Sequence, residues 1–130
     1  MSGTNRGGNK RGVTGLYGLA RIVNALGYSV AGLKAAYRHE AAFRQLVWIA
    51  AVLIPAAFFL PVNMLSRALM IACVLLVLIV ELLNSAIEAV VDLASPGKHE
   101  LAGRAKDIGS AASMVAQVNV LVAWGLILLG

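Results

Sequence analysis

Charge is scarce in this chain, and acid is scarcer still. Of 130 residues only 13% are charged, with six Asp and Glu against eleven Lys and Arg, and no acid occurs before Glu40. A soluble domain carries about 25% charged and about 45–50% apolar residues. Here 60% are hydrophobic and the mean hydropathy is +0.83. That balance excludes a substantial water-soluble core beside the apolar segments and suits one integral membrane domain. The single cysteine, Cys73, excludes an intrachain disulfide, and inside an apolar run it reads as helix filling. Also missing are the G-x-x-x-x-G-K-S/T loop, the dinucleotide glycine fingerprint and the protein-kinase Gly-rich loop. His39, His99 and Cys73 have no zinc-like spacing. Any nucleotide site must be built by other means.

What is present begins with a basic N-terminus. Six Lys and Arg fall within residues 1–39, and in so apolar a chain they fit an anionic membrane surface rather than nucleic acid. Residues 1–14 read as a disordered basic tail ahead of a single membrane domain, 15–130. The tail lacks the apolar core and cleavage site of a signal peptide. From 16 to about 44, Leu16, Leu19, Val23, Leu26, Val30, Leu33 and Tyr37 recur at helical spacing, which predicts an amphipathic surface helix. Gly27 and Gly32 are expected to loosen or split it. An ordinary amphipathic helix packed on protein is the alternative.

Three spans are expected, over about 46–65, 68–91 and 108–129, the first marginal against the roughly 20 residues a crossing needs. Pro55 is tolerable there if neighbours satisfy the carbonyl it frees. The Lys and Arg excess places the N-terminus and the 94–107 loop in the cytoplasm and the C-terminus outside.

The second span then does something costly. After ALMIACVLLVLIV the chain continues ELLNSAIEAVVD. At 100° per residue Glu81, Asn84, Ser85, Glu88 and Asp92 share one stripe about 100° wide, and Glu81 lies roughly 10 Å deeper than Glu88. Carboxylates in a membrane helix are functional candidates. An interhelical polar seam or a carboxylate-lined proton path are the competing readings. The loop KHELAGRAKDIGSAA adds Lys98, Arg104 and Lys106 beside His99, Glu100 and Asp107. Cations near clustered acids suit a metal-chelated polyphosphate.

These segments resemble a known family. Glu81–Asp92 matches the ExxNSxxExxVD signature of the small prokaryotic diacylglycerol kinases, and His99–Ala112 and Glu40–Gln45 resemble two further family segments in the family's order. The resemblance implies a homotrimeric inner-membrane enzyme with three transmembrane helices and a surface helix per subunit. It implies Mg²⁺-dependent transfer of phosphate from ATP to diacylglycerol, in a site shared between neighbouring subunits. Glu81 would be the general base, Glu40 and Glu88 would hold the metal, and Asn84 would orient the site. Arg21, Tyr28, Gly97, Lys98, His99, Lys106 and Asp107 would contact nucleotide. Arg21, Ser29, Lys34, Ala42, Phe43, Arg44, Gln45, Arg67, Glu81 and Ser110 would frame the lipid. Leu46 departs from the family's best-known members, which carry a Glu there, and residues 1–12 have no family counterpart.

Undecaprenol kinase activity is the alternative within this chemistry. A small proton-conducting or structural subunit is the alternative outside it. The apolar stretch from Ala68 to Val80 argues against a continuous path, whereas Ser113, Gln117 and Asn119 argue for one unless they hydrogen-bond between helices. An oligomer is expected, because three thin helices cannot by themselves screen the stripe of Glu81, Asn84 and Glu88 from lipid on every side.

Overall fold

The computed structural model describes the backbone of residues 10–130 and the side chains from Gly15 onward. Among the described residues there are four helices: α1 (Lys10–His39), α2 (Ala41–Phe59), α3 (Met64–Ala94) and α4 (Glu100–Leu129). The tail expected over 1–14 lies outside the described residues up to position 9, and 10–14 open α1. The chain divides into two compact units, one ending at Ala35 and one from Ala36 to Gly130.

In the first unit α1 is unbroken. Gly27 and Gly32, which cost a helix about 1 kcal/mol each relative to Ala, neither split nor end it. The stripe residues Leu16, Leu19, Val23 and Leu26 are more than half exposed.

The second unit starts with the last turn of α1 and a sharp corner. Glu40 is extended (φ −113°, ψ 104°) and separates α1 from α2, so Ala41–Arg44 open α2 rather than close the preceding helix. Helix ends leave carbonyls without partners, and here Arg44 supplies one. Its guanidinium donates to the carbonyls of Tyr37 (2.8 Å) and Arg38 (3.3 Å) and lies 5.9 Å from the Tyr37 ring centroid. Trp48 Nε1 donates to the Tyr37 hydroxyl at 3.1 Å. Ala36 and Phe43 are buried.

The other three helices are long and apolar enough to cross a membrane. At 1.5 Å per residue the 19 residues of α2 span roughly 28 Å, close to the hydrocarbon thickness of about 30 Å. The 31 residues of α3 span roughly 46 Å, so one end projects beyond the hydrocarbon. α3 is central, packing on α2 and on α4. Its buried face is Met70, Cys73, Val74, Val77, Glu81 and Asn84, at helical spacing. α4 meets it with small residues, Gly109, Ser113 and Ala116, which let two helices approach closely without a large apolar core. Farther along, Trp124 Nε1 donates to Met70 O at 3.2 Å. Lys106 and Asp92, Ser113 and Glu81, and Trp124 and Met70 together define an antiparallel hairpin.

Candidate active site on the helical hairpin

The polar stripe of α3 lies on its packing face, not on a lipid face. Val77, Val74 and Met70 continue the line of Glu81 and Asn84 toward the other end of the helix. Glu81 is 6% exposed and Asn84 8%, both covered from α4 of the same chain. For these two residues the expectation that the helices of one chain cannot screen the stripe is corrected.

Glu81 accepts a hydrogen bond from the Ser113 hydroxyl at 2.5 Å, and Ser113 accepts one from Gln117 Nε2 at 3.2 Å. One turn nearer the loop, Asn84 sits against Gly109, where a β-carbon would collide with Asn84 Oδ1. The glycine leaves the room that the amide occupies. Asn84 Nδ2 reaches Glu88 Oε1 at 3.4 Å, a long contact, while Asn84 Oδ1 and Ser85 Oγ are buried without a partner. Buried polar atoms are bonded in the great majority of cases, so two orphans one residue apart mark this turn. Glu88 is half-buried and Asp92 exposed, giving a gradient from dry to wet along about three turns.

At the wet end Asp92 pairs with Lys106 at 2.5 Å, tying the end of α3 to the start of α4. Lys106 precedes the apolar run that begins at Ile108, and the Asp92 carboxylate beside it holds its ammonium above the usual lysine range. A cleft of about 530 Å³ opens here, lined by Asp92, Ser95, Gly97, Lys98, His99 and Lys106 among others. His99 Nδ1 accepts from Leu101 N at 3.1 Å and caps α4. The exposed Arg104–Glu100 pair, at 3.7 Å, lies one turn into α4.

The structure thus gathers Glu81, Asn84 and Glu88 on one face, and Gly97, Lys98, His99 and Lys106 on one cleft. Asp107 and Ser110 are exposed on α4. Glu40 is half-buried at the corner before α2. Among the described residues no three of His, Cys, Asp and Glu gather as a ready-made metal site. Ala42 and Gln45 are exposed at the corner, Phe43 is buried, and Arg44 is engaged by the end of α1. Arg67 stands apart, fourteen residues or roughly 21 Å along α3 from Glu81. There its guanidinium donates to the carbonyls of Ala57, Leu60 and Val62 at 2.9–3.2 Å. Arg21, Tyr28, Ser29 and Lys34 are exposed on α1, in the unit ending at Ala35, with the Ser29 hydroxyl turned onto Ala25 O. Leu46 lines an apolar groove of about 190 Å³ with residues of α2, α3 and α4, Gln117 among them.

Sequence reasoning did not foresee Ser113 as the partner of Glu81, nor Gly109 as the room for Asn84. The available signal was the small-residue series Gly109, Ser113, Ala116 in a helix otherwise rich in large apolar residues.

A sequence profile described as Prokaryotic diacylglycerol kinase matches residues 27–128. The chain is 61% identical over 116 residues to a diacylglycerol kinase of Pseudomonas aeruginosa, covering 89% of this chain and 94% of the relative. It is 49% identical over 111 residues to proteins of that name in Haemophilus influenzae and Escherichia coli, covering 85% of this chain and 94% and 91% of theirs. Likeness of that extent, running through the hairpin and its polar stripe, makes the chain a member of the prokaryotic diacylglycerol kinase family.

Proposed function

We propose that the protein transfers the γ-phosphate of ATP to the free hydroxyl of diacylglycerol, with Glu81 as general base. The observation that carries this is the gradient along one face of the hairpin: a buried carboxylate at Glu81, orphaned polar atoms one turn away, and an open cationic cleft beyond. A lipid alcohol and a water-soluble polyphosphate have to meet at such a boundary. Acyl chains remain in hydrocarbon beside the apolar half of α3, and only the hydroxyl end reaches Glu81.

In the reaction the hydroxyl oxygen attacks the γ-phosphorus, its proton passes to the Glu81 carboxylate, and ADP leaves. General-base assistance is typically worth about 10²–10⁴-fold. Lys98 and Lys106, with backbone and His99 around the cleft, bind and orient the polyphosphate; positioning and charge stabilisation do most of the work in phosphoryl transfer. The family resemblance assigns further nucleotide contacts to Arg21 and Tyr28 on α1 and to Asp107 on α4, and lipid-framing side chains to each of the four helices.

The donor chemistry fits Mg²⁺. Glu88 offers a half-buried carboxylate, Asn84 Oδ1 is an oxygen without a partner beside it, and Glu40, half-buried at the corner before α2, offers a second carboxylate. Mg²⁺ takes one or two carboxylates and completes its octahedron with water and substrate phosphate, so it needs no cluster of three acids. Glu40 and Glu88 would hold it; when bound it neutralises charge developing on the transferred phosphoryl group.

The proposed setting is a homotrimer in the bacterial inner membrane, with the N-terminus and the 94–107 loop in the cytoplasm. The excess of Lys and Arg on those segments supports the orientation, and family membership supports the assembly. The test is purified protein in a defined bilayer, assayed for ATP-dependent phosphorylation of diacylglycerol and, in parallel, undecaprenol. Turnover of diacylglycerol is expected to dominate; no turnover of either lipid removes the kinase reading.

A further inference from the structure

The contact that fixes Glu81 comes from a residue of α4 that the mechanism above does not use. Ser113 is 6% exposed and donates its only hydroxyl proton to Glu81. An ionised carboxylate can only accept, so that proton is committed and the Ser113 oxygen is left as an acceptor. Gln117, one turn farther along α4, must then present its NH₂ rather than its carbonyl, which is the arrangement found. The three groups form a directed chain from Gln117 to Ser113 to Glu81 Oε2. Gln117 is exposed beside the apolar groove formed with Leu46, Ile49, Ala50, Val74 and Val77, midway along the span-capable α4, where in a bilayer hydrocarbon replaces water around its amide and hydrogen bonds are strengthened.

Packing alone does not require this. Ala116, the next small residue on the same face, seats against α3 without a hydroxyl, and an alanine at 113 would serve the helix approach as well. A polar pair aimed at one carboxylate oxygen has a different consequence: it holds Oε2 and leaves Oε1 as the oxygen free to take a proton.

We propose that Ser113, backed by Gln117, is a positioning residue that locks the Glu81 carboxylate in the rotamer presenting its free oxygen to the lipid hydroxyl. This rests on the reading of Glu81 as the base. Neither side chain touches substrate; both act through Glu81.

The test is steady-state kinetics of the full chain in a defined bilayer. Ser113→Ala is expected to lower kcat about tenfold, as loss of an orienting partner typically does, with KM for ATP and for diacylglycerol unchanged. Ser113→Thr, which keeps the hydroxyl, regains most of that loss. Gln117→Leu, at a position open enough to tolerate it, lowers kcat about threefold, in the range of one net hydrogen bond. Added to Ser113→Ala it has no further effect, because the two act in series. Wild-type kcat in Gln117→Leu overturns the relay whether or not Ser113→Ala folds. So do additive losses, a loss confined to KM, or a Thr variant as slow as the Ala variant. Glu81→Gln, run alongside, separates the two levels. If it is nearly inactive while the relay variants are normal, only the relay fails; if it turns over normally, the base assignment itself fails.

Discussion

The two ends of α3 are both polar, and they differ in whether that polarity is satisfied. At the Met64 end, Asn63 accepts from Ser66 N at 2.8 Å and Arg67 gives hydrogen bonds to three carbonyls at the end of α2. Each side chain has partners that the chain itself supplies, and together they close the α2–α3 corner. At the Ala94 end, Asn84 Oδ1 and Ser85 Oγ are buried without partners, and Glu88 has one long contact. A helix end that meets its own needs is architecture. Buried oxygens left unmet cost stability, and under the proposed function this is the turn that meets metal and substrate. The same residue types thus carry different meanings at the two ends.

The largest effect is expected at Glu81. Glu81→Gln keeps the volume and an oxygen for Ser113 but removes the proton acceptor, so kcat should fall by about 10²–10⁴-fold with the fold and ATP binding retained. A folded variant with near-normal turnover would make Glu81 part of a structural seam and erase the contrast. Next comes Glu88→Gln, expected to lower turnover by about tenfold and to raise the Mg²⁺ concentration giving half-maximal rate, since an amide is a poorer ligand for a hard cation. An unchanged Mg²⁺ midpoint would remove Glu88 from the metal set.

Arg67→Ala probes the satisfied end. It should cost about 1–3 kcal/mol of stability by leaving partly buried carbonyls unbonded, read as a lower unfolding midpoint in detergent; as a lipid-framing position it should also raise KM for diacylglycerol, with kcat per folded protein nearly unchanged. Loss of turnover at constant stability would mean that this end, too, serves the reaction. The smallest effect belongs to Arg104→Ala. Its pair with Glu100 is mostly exposed, at 62% and 91% for the two side chains, and such pairs contribute about 0–1 kcal/mol. Stability should stay within about 0.5 kcal/mol, and a larger shift would show that the α4 start is clamped more firmly than its exposure implies.

Much of the fold was legible because its determinants are local. Apolar runs long enough to span hydrocarbon, the helical period of the polar stripe and the basic flanks are properties of neighbouring residues, and the described residues hold three span-capable helices. Boundaries moved where a distant side chain intervened. α1 ends at His39, where Arg44 takes its last carbonyls, and α3 starts at Met64, where Asn63 caps it. Gly27 and Gly32 did not interrupt α1, since a helix propensity of about 1 kcal/mol per glycine is spread over 30 residues.

The sequence by itself determined that Glu81, Asn84 and Glu88 lie on one face of one membrane helix, because 3.6 residues per turn converts spacing into direction without reference to any other part of the chain. Only the tertiary structure decided what that face meets. Ser113 stands 32 positions from Glu81, Gly109 lies 25 from Asn84, and Arg67 spends its guanidinium on the end of α2. The register between antiparallel helices depends on how small residues on one fit large ones on the other, and that fit is a property of two surfaces, which no spacing along a single helix contains.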